Sequence, residues 1–192
     1  MTGFFKAATL MVLLLVPALA PAAASDELRS AFVKFLAAKS FRATVTDVKK
    51  GKQLSQMSFV APDRYRIDAN GNVSVVIGDT MYMDLGGGQL QPLPVPGVGK
   101  LIAQYRDPAF VDDIAAGMQV QLVGDDSLDG EPARVYAYTV SRPVKAAAKA
   151  WVSLASGLPL QVESTATMLG RASTTRVRYQ GYDDAAIRID AP

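Results

Sequence analysis

The chain has 192 residues, 49% of them hydrophobic, and its 20 Lys and Arg against 18 Asp and Glu leave a net charge of +2. Near-neutrality removes the electrostatic basis for holding nucleic acid or an anionic membrane surface. With neither cysteine nor histidine present, disulfide scaffolds, acylated or catalytic thiols and every imidazole-based catalytic group are excluded too.

The N-terminus reads as a targeting segment. Lys6 precedes the apolar run Ala7 to Val16, Pro17 breaks it, and Ala18, Ala20 and Ala22 to Ala24 follow. That is the charged, apolar and small-residue order of a Sec signal peptide, and the run is too short for a spanning helix of about 18 residues. Residues 1–24 are read as a leader cleaved after Ala24, with Ala20 as the second site, which leaves one domain, 25–192, in the periplasm. A helix is expected next, opened by Ser25-Asp26-Glu27. Leu28, Phe32, Phe35 and Leu36 then form one apolar stripe.

From Phe41 the apolar period changes to two. Alternation through Val45, Leu54 to Val60, Tyr65 to Ala69, Val73 to Ile77 and Thr80 to Leu85, with turns at Lys50-Gly51-Lys52, Pro62-Asp63, Asn70-Gly71 and Gly78-Asp79, predicts an antiparallel meander. Gly86 to Gly88 and the prolines 92, 94 and 96 are read as irregular. A helical insert follows. Leu101, Ile102 and Tyr105 suggest one short helix, and Asp107-Pro108 caps another that turns Phe110, Val111 and Ile114 inward. Strands resume at Gln119 and run, through turns at Asp129-Gly130, Ser156-Gly157 and Gly170, to the strand containing Val177 and Tyr179. About ten short strands and few helices predict an α+β domain in which a curved antiparallel sheet wraps around the helices.

Catalytic and metal readings find little support. The acid pairs Asp112-Asp113, Asp125-Asp126 and Asp183-Asp184 are sequence neighbours, which point apart on a strand and are solvated in turns. Asp125-x-Ser127-x-Asp129-Gly130 imitates the start of a calcium loop, but the position that needs a bidentate Glu is Tyr136. No enzyme activity, metal or cofactor is expected. Large apolar residues at alternating positions suit an imprecisely shaped hydrophobic ligand: Met57 and Phe59, Tyr65 and Ile67, Val75 and Ile77, Met81 and Met83 in the first half of the sheet. Leu122, Trp151, Leu160 and Val162 are the candidates in the second.

Three stretches carry a family resemblance. FVAPDRYRI from Phe59 to Ile67 is a strand, a Pro-x-x-aromatic turn and a strand. VGDDSLDGEPARVY from Val123 to Tyr136 fits a G-x-x-x-x-D-G-x-P-x-x-x-Y hairpin, and AWVSLASGLPL from Ala150 to Leu160 fits a W-V-x-x-x-x-G-L-P-L hairpin. Their succession behind a leader and an amphipathic helix resembles the LolA/LolB-like lipoprotein-carrier superfamily. The resemblance implies an unclosed β-barrel, or half-barrel, capped by helices over a hydrophobic cavity. It implies a monomeric periplasmic carrier or chaperone for a lipid or the acyl chains of a lipoprotein, meeting an inner- or outer-membrane protein. The insert, through Leu101, Ile102, Tyr105, Phe110 and Ile114, would be its lid. The alternative is an envelope sensor or interaction domain on the same scaffold. One position departs: the arginine that keeps the lid closed in the dedicated carrier is replaced by Ala61 before Pro62.

Overall fold

The computed structural model describes residues 21–104, 106–141, 145–168 and 170–192. The expected leader up to Ala20, and Tyr105 of the insert, lie outside these. Helix α1 (Pro21–Ala37) leads into strands β1 (Ser40–Asp47), β2 (Lys52–Val60), β3 (Arg64–Ala69), β4 (Asn72–Ile77), β5 (Thr80–Asp84) and β6 (Leu90–Pro94). Helices α2 (Val98–Gln104) and α3 (Pro108–Ala115) precede β7 (Gln119–Leu128), β8 (Glu131–Val140), β9 (Ala146–Ser153), β10 (Pro159–Met168) and β11 (Arg171–Gln180).

Every pairing is antiparallel, and one sheet of eleven strands runs β6-β5-β4-β3-β2-β1-β11-β10-β9-β8-β7. Two meanders are thus sewn together where the first strand meets the last, with Ala43 opposite Tyr179 and Val45 opposite Val177. β6 and β7 are the two edges, so the sheet is an open half-barrel and not a closed one. Turn chemistry sets the registers. Asn70-Gly71 and Asp129-Gly130 both hold left-handed φ angles, 53° and 82° in the first and 53° and 85° in the second. Those are the backbones that two-residue hairpins require.

Two sequence expectations need correction. The Pro92 and Pro94 segment is a strand after all, but an edge one: Pro92 pairs with Tyr82 and Pro94 with Thr80. A missing N–H is harmless where no further strand needs it. Helix α1 begins at Pro21, ahead of the expected Ser25 cap. Proline suits a first turn, alanine is the best helix former, and Ala24 is 1% exposed in the core. The α3 expectation is met by Asp107, whose carboxylate accepts the Ala109 N–H at 2.9 Å.

Helix α1 lies on the inner face of the sheet and divides the core. Ala24, Leu28 and Ala31 pack with Val120, Tyr136, Ala150 and Val152 on the β7–β9 side. Phe41, Ala43, Phe59, Tyr65, Val76 and Val98 form the second cluster, with Phe35 of α1 against it. The C-terminal tail runs over the outer face of the first meander. Arg64 donates to the Ile189 carbonyl at 2.7 Å, Arg42 pairs with Asp184 at 3.2 Å, and Ile187 and Ile189 are buried. Asp183 and Asp184, read from sequence as solvated turn acids, instead tie this tail down: Asp183 accepts the Lys39 N–H at 2.6 Å.

Candidate functional site

Register assigns each side chain to a face, because alternate residues of a strand point opposite ways. Tyr136 and Tyr138 of β8 stand opposite Ala150 and Ala148 of β9, which stand opposite Val162 and Ser164 of β10, and these opposite Val177 and Thr175 of β11. This is the inner face, because Tyr136, Ala150 and Val162 pack on α1. Its floor on β9 and β10 is small: Ala146, Ala148, Ala150, Ser164 and Ala166. In the first meander the same face carries larger residues, with Phe41 opposite Phe59, Phe59 opposite Tyr65, Tyr65 opposite Val76 and Val76 opposite Met81.

The insert roofs that larger half. Val98 is buried in the aromatic cluster and Ile102 packs against it. Arg106, between α2 and α3, inserts its guanidinium over Phe59, 3.9 Å from the ring centroid. From there it donates to the carbonyls of Leu36 and Ala38, at the C-terminal end of α1. Burial pulls the Arg106 pKa below its ordinary value, with the Tyr65 phenol opposing. A cation at the carbonyl end of a helix also meets the favourable pole of its dipole. The position before Pro62, where the dedicated carrier has an arginine, is Ala61, and the guanidinium over Phe59 comes from the insert. α3 is tethered to α1 by the Arg29–Asp112 ion pair at 2.6 Å, with both partners about half exposed.

Phenols line the inner face. Tyr138 sits edge-on to Phe32 with 6.1 Å between centroids, and Tyr179 edge-on to Phe35 at 5.1 Å. Burial pushes Tyr179 up to about 12, and raises Tyr138 and Tyr182 with a further push from Tyr179. Tyr182 donates to the Pro159 carbonyl at 2.7 Å. The Tyr136 hydroxyl donates to Glu27 of α1, which also faces Arg134 at 3.4 Å; burial and then that hydrogen bond raise the Tyr136 pKa.

The sequence candidates do not all share a face. Phe59 and Tyr65 are buried in the cluster beneath Val98, Met57 and Met81 pack against it, and Leu122 and Val162 pack on the α1 side. Ile67 and Met83 are inner and half-buried, Ile67 opposite Met57 and Met83 opposite Ser74, and Leu160 is half-buried beside a register shift. Val75 and Ile77 lie on the outer face, paired with Arg66 and Arg64. Trp151 is outer too, its indole N–H donating to Asp126 at 2.9 Å. Of the lid residues, Ile102 and Ile114 are half-buried, Leu101 is exposed, and the side chain of Phe110 is outside the description. Arg106, Tyr138 and Tyr179 were not singled out from sequence. The i, i+2 pairs Tyr136/Tyr138 and Ala148/Ala150, on adjacent strands β8 and β9, held a signal for Tyr138. The outer face of the second meander has its own groove of about 470 Å³, lined by residues such as Gln121, Ala137, Lys149, Glu163 and Thr165.

Among the described residues no helix is long and apolar enough to cross a membrane. No protein-family model matches the chain, and no curated protein does. Solved structures do. The lipoprotein LppX of Mycobacterium tuberculosis superposes with a TM-score of 0.65 at 12% identity, over 89% of this chain and 100% of that one. A LolA superfamily protein from Nitrosomonas europaea is similar at a TM-score of 0.24 and 11% identity, over 73% and 82%. The fold is shared with LppX. The Pseudomonas aeruginosa MucA/MucB complex is also similar, with a TM-score of 0.46 and 21% identity over 81% of this chain and 55% of that one.

Proposed function

We propose that this protein is a periplasmic carrier or binding protein for a hydrophobic ligand, an acyl-chain lipid or the acyl chains of a lipoprotein. The observation that carries the reading is the roofed inner face. The inner face of the open sheet carries Phe59, Tyr65, Val76, Tyr138, Ala150 and Val162, and the helices covering it are tied by Arg106, by Arg29–Asp112, by Gly99 to Asp79 and by Glu27 to Tyr136 and Arg134. Burying hydrocarbon there gives about 25 cal/mol per Å², so a long chain needs little polar recognition. No catalytic constellation is invoked. Export follows from the leader read in the sequence; the burial of Ala24 favours the second cleavage site, Ala20, which the mass of the exported chain checks.

Native mass spectrometry of chain purified from the periplasm without detergent tests this reading. The expected spectrum contains a protein–lipid adduct that disappears on solvent extraction. A ligand-free protein that also ignores fluorescent fatty-acid probes overturns it. The outer-face groove favours a second reading, an envelope interaction domain, because the tail covers the outer face of the first meander while this groove stays open. Crosslinking from Lys149 to a specific envelope protein, with no lipid retained, would select that reading.

A further inference from the structure

Two rows of side chains cross the outer face of the second meander from β7 to β11. The register places Gln121, Ala137, Lys149, Glu163 and Arg176 in one row, and Gln119, Thr139, Ala147, Thr165 and Thr174 in the next. All but Arg176 line the groove of about 470 Å³. Paired strands lie about 4.8 Å apart, so a groove crossing five of them is about 19 Å long, the reach of about six extended residues. Its middle is floored by small side chains, Ala137 and Ala147 beside Thr139 and Thr165, and it runs out to β7, an edge of the sheet.

Charge and hydrogen-bonding capacity narrow the occupant. The first row has two cations to one carboxylate, and Arg176 holds Glu163 at 2.7 Å, so Lys149 is the row's surplus positive charge. The second row is uncharged, with Thr165 and Thr174 hydrogen-bonded to each other at 2.8 Å. Gln119, Gln121 and Thr139 are exposed, and each offers both a donor and an acceptor. A peptide backbone needs both, whereas a phosphate headgroup takes donors alone. A membrane surface is a poor match as well. Among the described residues the exposed large apolar side chains, such as Leu101, Val123 and Leu154, all lie outside the groove, which leaves nothing there to insert.

We propose that this groove binds an extended acidic segment of a protein partner, laid across the strands with a carboxylate at Lys149. The inference gives the interaction-domain reading its partner class and rests on that reading; the inner face plays no part in it.

The test is fluorescence anisotropy of a labelled peptide of alternating glutamate and serine, with the full chain as titrant. A peptide of alternating glutamine and serine is the control. The acidic peptide should bind at low salt and weaken as salt is raised to about 0.15 M, where charges are screened beyond about 8 Å. Like charges set against each other across an interface cost several kcal/mol, so Lys149→Glu should weaken binding at least about tenfold. Ala147→Phe, which fills the floor, should weaken it too. Arg66→Glu, an exposed outer-face change on the first meander, should leave it unchanged, with thermal unfolding confirming that all three variants fold. Equal binding of the glutamine peptide, equal losses in Lys149→Glu and Arg66→Glu, or no binding of the acidic peptide overturns the inference. So does capture of the chain by phosphatidylglycerol vesicles that Lys149→Glu abolishes, because the anion would then be a membrane. Crosslinking from Lys149 tests the interaction-domain reading separately, and lipid retention by Lys149→Glu in native mass spectrometry shows that the inner face is untouched.

Discussion

Replacing Arg106 by Met separates the insert from the helix it is pinned to. The guanidinium makes two hydrogen bonds to α1 carbonyls and lies 3.9 Å above Phe59. A hydrogen bond from a charged donor contributes about 1.5–3 kcal/mol and a partly desolvated cation–π contact about 0.5–2 kcal/mol. Both hydrogen bonds come from one nitrogen, Nη2, so the sum overstates the loss. About 2–4 kcal/mol is a fair expectation for Arg106→Met, and Tm should fall by about 10 °C. Arg106→Lys keeps the charge but not the planar fork, and should recover less than half. Urea denaturation measures the loss, and hydrogen exchange locates it, with faster exchange across 98–104 and the last turn of α1. A loss below about 0.5 kcal/mol, the range of ordinary surface substitutions, with unchanged exchange over 98–104, would refute the pinning argument. Val98 and Ile102 would then hold α2 unaided.

Gly99 docks the start of α2. Its N–H donates to Asp79 at 2.9 Å, and an added Cβ would stand 2.8 Å from the Gly78 carbonyl oxygen. Gly99→Ala should cost about 1–3 kcal/mol by overpacking and raise exchange in α2 without touching α3, as urea denaturation and exchange together would report. Trp151 is the sole tryptophan, so its emission follows its partner Asp126. Hydrogen bonds from Trp151 and the Ser127 N–H hold that carboxyl below the ordinary aspartate value; the emission should stay flat through the ordinary carboxylate range and change only below it, and Asp126→Asn should abolish the acid transition. At the alkaline end Tyr65, Tyr136, Tyr138, Tyr179 and Tyr182 are all raised above 10.0. The folded chain keeps phenol protons that the unfolded chain gives up, so stability should be complete below pH 10 and fall as pH rises beyond it. Absorbance at 295 nm should show these phenols ionising late and together with loss of near-ultraviolet dichroism; early ionisation in a still-folded chain would contradict their burial.

Strand number and order of turns were legible because alternation and the pairs Asn70-Gly71 and Asp129-Gly130 are local signals. The identity of the inner face was less so. Val73 to Ile77 is apolar at most positions, so period two cannot say whether Val75 or Val76 turns inward; pairing with Arg66 and Tyr82 puts Val75 outside. Trp151 misled for another reason. Size suggests the core, but Ala148 and Ala150 hold the inner positions of β9, with Ala150 packed in the α1 cluster, so register parity turns the tryptophan between Ala150 and Val152 outward. Arg106 carried no periodic signal at all. Its partners Phe59, Leu36 and Ala38 are distant in sequence, and only closure of the insert assembles them.

The two halves of the inner face differ in what a ligand could displace. Beneath α2 the space is taken by Phe41, Phe59, Tyr65 and Val76, each nearly inaccessible and capped by Arg106. On β9 and β10 the floor is small, and its cover is uneven: Ala150 is 0% and Ala148 9% exposed beneath α1, whereas Ala146 and Ala166, paired farther along, are only half-buried. Close packing under α1 leaves no room at Ala150, so Ala150→Phe should cost stability, about 1–3 kcal/mol or more. The same substitution at Ala166 meets half-open space and should fold normally while filling the volume an acyl chain would need. Probe binding and Tm measured on both variants therefore separate the two ends of one strand pair. If Ala166→Phe folds and binds a fatty-acid probe as well as the parent chain does, the ligand cannot lie on this floor, and the second meander loses its part in binding.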